Sequence, residues 1–463
     1  MKVKALDTAV IMISLLIVAS ALTWIIPGGE FDRVVVDGRE RVVAESFHHV
    51  TSNPQGVGAF LLAPIKGFVD AAEIIGFILI VGGAFFVLQR TGAVDASIRS
   101  LVRAHDRSAF VRVALIPLFM LLFSTGGAVF GMAEETIPFV LLFVPLAIRL
   151  GYDSITGIAI PFVGSGAGFA GAFLNPFTVG IAQGISEVPL FSGVQYRLVV
   201  WLVITTVATV YVLRHATKVK AHPELSPTFE MDQSIRAAHE KEEAHLGETL
   251  DLRHRLTLIA FGLAMVMLVV GVLKFQWYIE EIAALFFGTG LLVGIIGGLK
   301  ANEISESFFE GAKALVTTAV IIALARGILI IAQDGHIIDT VLNRLSGLIR
   351  GLHPIFASWA MFLVQTVINF FVPSGSGQAA LTMPVMAPLS DLLGVSRQWA
   401  VLAYQFGDGF TNLIIPTSAV LMGVLSVANV PWNKWARWQA PLQVILVLVG
   451  FLLLIPPFFI GWQ

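Results

Sequence analysis

The octapeptide Gly131-Met132-Ala133-Glu134-Glu135-Thr136-Ile137-Pro138 returns 246 residues later as Gly377-Gln378-Ala379-Ala380-Leu381-Thr382-Met383-Pro384. Glycine, alanine, threonine and proline occupy the same four positions in both copies. Each copy lies in an apolar segment, and the next apolar segment carries a Gly-x-Gly triplet, at Gly164–Gly166 or Gly407–Gly409. Matched helix breaks in the two halves of an apolar chain are typical of transporters.

The composition predicts an integral membrane protein. Of 463 residues, 56% are hydrophobic and 13% are charged, against about a quarter charged in soluble domains. Uncharged runs such as Ala9–Ile26, Leu256–Leu273 and Ile282–Leu299 reach the ~18 residues of a membrane-crossing helix. The runs are continuous rather than alternating with a period of two, which favours an all-α protein over a barrel.

Composition also excludes several function classes. The net charge of −2 gives no basic field for nucleic acid, and the absence of cysteine rules out disulfides and thiolate metal sites. The histidines fall outside the centres of the predicted spans, which disfavours a histidine metal site. No set of nucleophile, base and orienting group is recognisable, so we expect no catalytic residue and no enzyme. The expected cofactors are none, apart from Na⁺ or H⁺ as a coupling ion.

The order of apolar runs predicts about nine transmembrane helices, two re-entrant hairpins and two broken helices. Basic residues at both ends of a central hydrophilic stretch place that stretch in the cytoplasm. The predicted units are a first half (1–213) with a hairpin (109–150) and a broken helix (155–184), a cytoplasmic linker (214–254), and a second half (255–463) with a hairpin (354–393) and a broken helix (398–428).

The two halves are predicted to be inverted repeats. Partner spans are five crossings apart, an odd number, so one runs inward and the other outward. This places the first hairpin on the cytoplasmic side and the second on the outer side, as the positive-inside rule prefers. The matched residues, 244 positions apart, are Gly67, Gly83, Gln89 and Asp95 in the first half and Gly311, Gly327, Gln333 and Asp339 in the second.

Helix breaks at membrane depth expose unpaired backbone groups that attract substrates and ions. We place the hairpin tips at Ser124–Gly127 with Gly131, and at Pro373–Gly377. We place the breaks of the two broken crossings around Gly164–Gly171 and Asn175-Pro176, and near Gly407–Gly409. Small residues at these positions also suit close helix packing, and polar residues beside them also suit capping, so both alternatives stay open.

Three acids lie in apolar surroundings: Glu134, Glu135 and Asp408. A carboxylate at membrane depth costs ~2.5 kcal/mol or more unless it is paired or hydrated. They are predicted to bind a cationic substrate, Na⁺ or a proton, and the alternative is a structural ion pair. Arg326 is the basic residue well inside a predicted span, and either pairs with one of these acids or holds a substrate carboxylate.

The candidate binding residues share a place at a hairpin tip or beside a break. They are Ser124, Thr125, Gly126, Gly127, Glu134, Glu135, Ser165, Asn175, Ser374, Gly375, Ser376, Gly377, Gln378, Asp408, Thr411, Asn412 and Thr417.

The chain resembles the ion transporter superfamily, and within it the YfcC-type carriers, which are grouped with ArcD-like arginine/ornithine antiporters and more distantly with anaerobic four-carbon dicarboxylate carriers. The resemblance is carried by the Ser124–Pro138 stretch and by Phe371–Gln378. Dicarboxylate and citrate relatives carry Ser-Asn-Thr at their hairpin tips. Neither tip here has that Asn, which counts against a dicarboxylate substrate and against the usual sodium sites.

The resemblance implies a homodimer in the bacterial cytoplasmic (inner) membrane. Each subunit would have a static scaffold and a mobile elevator domain, made of the hairpins, the broken helices and the spans that follow them. The amphipathic stretches Val94–Arg107 and Ile337–Arg350 would be the arms that hold the mobile domain.

The expected function is secondary active transport of an amino-acid-like solute, most simply a basic amino acid, by exchange or ion coupling. The alternative is a dicarboxylate or short-chain carboxylate transporter coupled to Na⁺ or H⁺. A passive channel is disfavoured, because mirrored re-entrant breaks suit alternating access to a closed site.

Overall fold

The computed structural model describes residues 8–36, 39–43, 46–233, 250–275, 277–349 and 351–462, and its regular structure is helical except near the N-terminus. There, between the first and second helices, two antiparallel pairs of strands form. They are β1 (Gly29–Glu30) with β4 (His48–His49), and β2 (Arg33–Val36) with β3 (Arg39–Val42). The helices are α1 (Thr8–Ile25), α2 (Val57–Asp70), α3 (Ala72–Arg90), α4 (Ala93–Arg107), α5 (Ala109–Phe130), α6 (Thr136–Arg149), α7 (Ser154–Ala170), a π turn (Pro176–Gly180), α8 (Ile181–Ile185), α9 (Val194–Ala221), a 3-10 turn (Pro223–Leu225), α10 (Leu252–Phe275), α11 (Ile279–Ile296), α12 (Ala301–Ala314), α13 (Val316–Asp334), α14 (Ile338–Gly347), α15 (Pro354–Phe371), α16 (Gly375–Leu392), α17 (Arg397–Thr411), α18 (Ala419–Val427), α19 (Trp432–Leu453) and α20 (Pro456–Ile460).

Eight helical stretches in the described parts of the chain are long and apolar enough to cross a membrane. This confirms an all-helical membrane protein. Two of the eight, α5 and α15, are first arms of the predicted hairpins, so the count of nine crossings stays a prediction. The stretches are Ala72–Arg90, Ala109–Phe130, Val194–Ala221, Leu252–Val272, Ile279–Ile296, Ala301–Asp334, Pro354–Phe371 and Trp432–Ile460.

Helix bounds repeat between the two halves. Helices α12 and α13 begin and end 244 residues after α2 and α3, at all four ends. The apolar runs that begin near Glu73 and Ala314 predict spans at α3 and α13, but no apolar run predicts α2 and α12, which precede them. Helix α12 carries Glu303, Glu306, Glu310 and Lys313, so its charge hides it from an apolar-run criterion.

The repeated helices pack on each other across the halves, and glycine makes the approach possible. A Cβ on Gly67 of α2 would lie 2.1 Å from the backbone oxygen of Ala323 in α13. A Cβ on Gly311 of α12 would lie 2.5 Å from the backbone oxygen of Gly82 in α3. Both spacings are impossible for a real side chain, so these crossings require glycine.

The predicted break at Ser124–Gly127 is wrong. Helix α5 continues through these residues to Phe130, and the chain breaks at Gly131–Glu135, with Gly131 at φ 73°. The small residues serve packing instead, because a Cβ on Gly127 would lie 2.1 Å from the backbone oxygen of Ser165 in α7. Glu134 and Glu135 therefore lie in the break itself rather than on the second arm.

The Gly-x-Gly triplets do not break their helices either. Helices α7 and α17 run through them to Ala170 and Thr411. A Cβ on Gly409 would lie 2.5 Å from Cα of Ala170, so the triplets let α7 and α17 touch. The breaks follow later, at Gly171–Asn175 and at Asn412–Ser418.

The second hairpin breaks close to the predicted position. Helix α15 ends at Phe371 and α16 begins at Gly375, so Val372–Ser374 forms the break. The predicted linker 214–254 begins inside α9, which extends to Ala221. Residues 234–249 of that linker lie outside the described residues, and the division into domains stays a prediction.

Candidate functional site

The helix breaks surround one central cavity of about 180 Å³. Its walls come from the breaks of the two predicted hairpins and of the two predicted broken helices, at Phe130–Thr136, Phe177–Thr178, Pro373–Ser376, Asn412–Leu413 and Thr417–Val420. Helix α13 and the junction between α10 and α11 close the remaining sides. The repeated breaks therefore meet in space, although they are far apart in sequence.

Glu134 and Glu135 line this cavity. The side chain of Glu135 is 9% exposed, and its Oε2 accepts a hydrogen bond from the N–H of Ala133 at 3.0 Å. Both acids directly precede α6, which begins at Thr136. The positive end of that helix stabilises negative charge at this point.

Arg326 is the basic residue among the described residues that line the cavity. Its Nε lies 2.8 Å from Oδ2 of Asp70 without a well-directed hydrogen bond. The contact is an ion pair with Asp70, at the end of α2, and among the described residues Arg326 forms no ion pair with Glu134, Glu135 or Asp408. Asp70 could not be predicted as this partner, because the sequence pattern did not reveal α2.

A second cavity of about 730 Å³ adjoins the first. Arg326, Leu329 and Ser374 line both cavities. Asp70 also lines the second cavity, which places the Arg326–Asp70 pair where the two spaces meet.

The second hairpin contributes the N-terminus of α16 to the central cavity. Ser374 caps this helix, its Oγ accepting from the N–H of Gly377 at 3.4 Å. The Tyr404 hydroxyl donates to the carbonyl of Gly375 at 2.6 Å. Ser374, Gly375 and Ser376 line the central cavity, whereas Gly377 lines the second one. Gln378 turns away and donates to Oε1 of Gln365 at 2.7 Å.

Asp408 is fully buried behind the cavity wall. Its Oδ1 accepts from Nδ2 of Asn412 at 2.9 Å, and its Oδ2 has no hydrogen-bond partner among the described residues. Asn412 and Thr417 line the cavity, and Oγ1 of Thr417 is also unpartnered in the described parts of the chain. Thr411 donates to the carbonyl of Gly407 in its own helix and does not reach the cavity.

Ser165 reaches the cavity, and its hydroxyl donates to the carbonyl of Met132. Asn175 caps the π turn by accepting from the N–H of Phe177 at 2.9 Å. Its amide also packs on Gly131, so it braces the first hairpin from outside the cavity.

Ser124, Thr125, Gly126 and Gly127 do not line the cavity. Ser124 Oγ lies 2.6 Å from Oγ1 of Thr205, and Thr125 donates to the carbonyl of Leu121 at 2.8 Å. Ser124 is thus bonded inside the helix bundle, as in the packing alternative, whereas the exposed Thr125 is bonded within its own helix.

Sequence reasoning missed Thr178 and the aromatic wall of the cavity. Thr178 is 1% exposed and follows the Asn175-Pro176 break by two residues. Phe177 and Tyr278 contact each other with ring centroids 5.2 Å apart, and Trp277 lies beside them. The Trp277-Tyr278 pair between two predicted spans was an available signal, because aromatic faces bind cations.

Comparison with known proteins identifies relatives over the whole length. A 38% identical relative is YfcC of Escherichia coli (strain K12), provisionally named a basic amino acid antiporter, aligned over 99% of this chain and 97% of YfcC. An uncharacterized protein of Haemophilus influenzae (strain ATCC 51907 / DSM 11121 / KW20 / Rd) is 27% identical, over 96% of this chain and 95% of its own.

Solved structures of two transporters also align. The Alcanivorax borkumensis YdaH transporter is 15% identical with a TM-score of 0.45, covering 99% of both chains. Neisseria gonorrhoeae MtrF, described within a class of antimetabolite efflux pumps, is 20% identical with a TM-score of 0.41, covering 96% of this chain and 93% of its own.

One family covers nearly all of the sequence. Residues 7–458 match the DcuC family, described as C4-dicarboxylate anaerobic carriers. The family is described as carriers and the E. coli relative as an antiporter, rather than as enzymes. This chain is therefore a multi-pass membrane transporter that belongs to the DcuC family.

Proposed function

We propose that the protein is an elevator-type secondary active transporter that exchanges a basic amino acid across the bacterial inner membrane. The observation that carries this proposal is the charge of the central cavity. Two carboxylates, of Glu134 and Glu135, line it, and the arginine in its wall is held by Asp70. A cavity with this acid excess favours a substrate with a positive side chain.

The cavity also offers groups for the rest of an amino acid. The N-terminus of α16, at Gly375 and Ser376, lies in its wall, and helix N-termini attract carboxylates. The rings of Phe177 and Tyr278 supply a face for an ammonium or guanidinium group. We assign the substrate's side-chain cation to Glu134 and Glu135, and its carboxylate to the tip of the second hairpin.

Alternating access by inverted repeats is supported by reciprocal contacts. Gly67 in α2 contacts α13 near Gly327. Its repeat partner Gly311, in α12, contacts α3 at Gly82. Gly82 is next to Gly83, which is the repeat partner of Gly327. Such crossed pairs arise when two equivalent elements are related by a two-fold axis. They support two inverted halves with re-entrant hairpins and nine crossings.

A second set of crossed contacts lies in the broken helices. Gly166 contacts Leu413, while Gly409 contacts Ala170. These four residues form two repeat pairs, each 243 residues apart. The same two-fold relation therefore passes between α7 and α17, beside the cavity.

The arm helices α4 and α14 share an acidic anchor. Asp95 and Asp339, which are repeat partners, pair with Arg149 at 3.1 Å and Arg33 at 2.8 Å. In the proposed elevator, these arms join the scaffold of α2, α3, α12 and α13 to the mobile hairpin domain. The homodimer and the inner-membrane location rest on the family resemblance.

A dicarboxylate or short-chain carboxylate carrier coupled to Na⁺ or H⁺ is the second candidate, and the family description favours it. It requires Arg326 to leave Asp70 and bind the anion, with the carboxylates of Glu134 and Glu135 neutralised. The charge of the cavity as it stands favours the cationic substrate.

Counterflow in proteoliposomes tests the proposal. Vesicles loaded with arginine are expected to take up labelled arginine and ornithine, and competition by lysine should exceed competition by neutral amino acids. The panel also includes succinate and a short fatty acid, each with and without sodium and a pH gradient. Strong exchange of succinate with none of arginine would refute the cationic substrate and select the second candidate.

A further inference from the structure

A two-stranded ribbon near the N-terminus, made of β2 and β3, lies beside the second cavity. Arg33 of β2 lines that cavity, together with Gly29 and Glu30 of the preceding strand β1. Ala380 and Leu381 of α16, in the second arm of the predicted second hairpin, line the same cavity. The ribbon segment and the second hairpin therefore share the walls of one space.

Asp339 of the arm helix α14 anchors the start of the ribbon. Its Oδ2 accepts hydrogen bonds from the N–H of Phe31 at 3.0 Å and from the guanidinium of Arg33 at 2.8 Å. Asp339 is buried, and hydrogen bonds between charged groups are the strong ones. The next residue, Thr340, donates to the carbonyl of Pro27 at 2.8 Å. The chain that leads into β2 is thus bound to α14.

His336, at the corner between α13 and α14, is a second anchor. Its Nδ1 lies 2.6 Å from Oε1 of Glu30, and its carbonyl accepts from the N–H of Gly29 at 3.0 Å. The backbone of His336 is left-handed, with φ 54°, whereas the repeat position 244 residues earlier is Gly92, with φ 76°. Glycine adopts this conformation without strain. A histidine that is held there points to a function for its side chain, and the contact with Glu30 supplies one.

The second strand of the ribbon reaches the second hairpin, since Cα atoms of β3 lie within 8 Å of Cα atoms of α16. In the first half the equivalent connection is direct. Asp95, the repeat partner of Asp339, pairs with Arg149 in the last turn of α6. Helix α16, which corresponds to α6, has no basic residue in its last turn. The ribbon therefore provides, in the second half, the link between arm and hairpin that an ion pair provides in the first.

We propose that the ribbon is a strap, which holds the second hairpin to the arm helix α14 and covers the second cavity, and whose release opens the route from that cavity to the central one. Arg326, Leu329 and Ser374 line both cavities, so a solute in the second cavity is next to the central cavity. The role of the strap in transport rests on the proposed function. In that elevator the strap, anchored on α13 and α14, must release α16 each time the hairpin domain moves.

Cysteine labelling tests whether the strap covers the cavity. The chain has no cysteine, so Ala380→Cys places a single thiol in the second cavity. Its reaction with a water-soluble maleimide is followed in the purified full-length protein in detergent, because labelling of a covered thiol follows the population of the opened form. Arg33→Gln should raise the labelling rate about two- to fivefold, the factor that corresponds to the loss of one partly exposed ion pair.

Two further variants distinguish a strap from a ribbon that only stabilises the fold. Val34 and Arg41 are paired across the two strands, so joining them through an Asn-Gly turn removes residues 35–40 and leaves the anchoring contacts in place. His336→Gly fits the left-handed backbone and removes the contact with Glu30. Both should raise the labelling rate as Arg33→Gln does and keep the melting temperature of wild type. An unchanged labelling rate in the shortened protein would overturn the strap.

Lys66→Gln is the matched control. Lys66 of α2 pairs at 2.6 Å with Asp334, another residue of the cavity wall, and makes none of the anchoring contacts. The thiol at position 380 should react at the same rate with and without Lys66→Gln. If this variant accelerated labelling as much as Arg33→Gln, the cause would be the charge of the cavity, and the strap would be refuted.

The outcomes separate this inference from the proposed function. Faster labelling in the shortened protein, with no exchange of any tested solute by wild type, would support the strap and refute the substrate. Arginine counterflow by wild type, with labelling unchanged in the shortened protein, would support the substrate and overturn the strap.

Discussion

At the scale of single residues, the proposed function assigns substrate choice to the two carboxylates in the break before α6. Replacing Glu135 or Glu134 with Gln removes the negative charge and keeps the shape. Because hydrogen bonds to charged groups contribute ~1.5–3 kcal/mol, the KM for arginine should rise about 10- to 100-fold. Counterflow kinetics in proteoliposomes measure this change.

Glu280→Gln is the matched control for these two substitutions. Glu280 is an exposed carboxylate in the first turn of α11 and does not line the cavity. The KM of the Glu280→Gln variant for arginine should equal that of wild type. If Glu134→Gln and Glu135→Gln both transport arginine like this control, the acids have a structural role and the cationic substrate loses its support.

The sequence predicted the acids of the site better than their surroundings. Glu134, Glu135 and Asp408 stand out because charge is rare in apolar runs. The role of Ser124 could not be predicted from the sequence, because small polar residues occur both at helix breaks and where helices pack closely. Thr178 carries no such signal, since only the fold brings its side chain to the cavity, beside Gly375.

At the scale of helices, the contact between α5 and α7 depends on the absence of side chains. A Cβ on Gly168 would lie 1.8 Å from the backbone oxygen of Ser124. Gly168→Ala must therefore separate the helices, and overpacking of this kind typically costs ~1–3 kcal/mol. We expect a clear loss of thermal stability in detergent.

Gly262→Ala in α10 is the control for the packing prediction, because a Cβ there meets nothing within 4 Å. In an open helix position alanine is favoured over glycine by ~0.5–1 kcal/mol. If Gly168→Ala and Gly262→Ala changed the thermal stability equally, the short distance between α5 and α7 would not be required for stability.

The start of α7 is held by a buried carboxylate, Asp153. Asp153 caps α7 through the N–H of Thr156 at 2.9 Å, and also accepts from His215 and Ser226 at 2.9 and 2.7 Å. Burial acts to raise the pKa of Asp153, but the hydrogen bonds and the charge of His215 outweigh it and hold the pKa below its usual value. The hydrogen bond from Ser226 thereby ties the chain after α9 to the start of α7.

A pH dependence follows from this lowered pKa. The charged carboxylate contributes stability that is fully present above its unfolded pKa of about 3.9. The contribution is lost as the pH falls through the lower folded value. Asp153→Asn should therefore lower the melting temperature at neutral pH, and its difference from wild type should shrink in acid below about pH 4.

Asp251→Asn is the control for the pH experiment. Asp251 accepts from the N–H of His254 at 2.7 Å before α10, but its side chain is 55% exposed. Asp251→Asn should therefore change the melting temperature only slightly at every pH. A pH-independent difference between Asp153→Asn and wild type would contradict the role assigned to the charge.

At the scale of the whole molecule, the repeat and the membrane class could be predicted, but the exact breaks could not. Long apolar runs and the offset of Gly67 and Gly311 reveal the duplicated order without any structure. Where a helix ends depends on tertiary contacts. Gly127 and Gly409 lie within continuous helices, where they allow a neighbouring helix to pack closely. The amphipathic α12 was missed because its charges interrupt the apolar pattern.

The proposed elevator movement requires the scaffold and the mobile domain to slide past each other. Thr318 of α13 and Ser426 of α18 lie across this boundary, with their hydroxyl oxygens 3.0 Å apart. The chain has no cysteine, so Thr318→Cys with Ser426→Cys gives one defined pair. Oxidation should lock the two domains and abolish counterflow, and reduction should restore it.

Ser124→Cys with Thr205→Cys forms the control pair. These residues lie within the proposed mobile domain, outside the cavity, with hydroxyl oxygens 2.6 Å apart. A bond between them moves with the domain, so transport should survive oxidation. Full counterflow through a protein cross-linked at positions 318 and 426 would show that α18 stays fixed to α13 during the cycle, and the elevator would be excluded in favour of local gating by the hairpins.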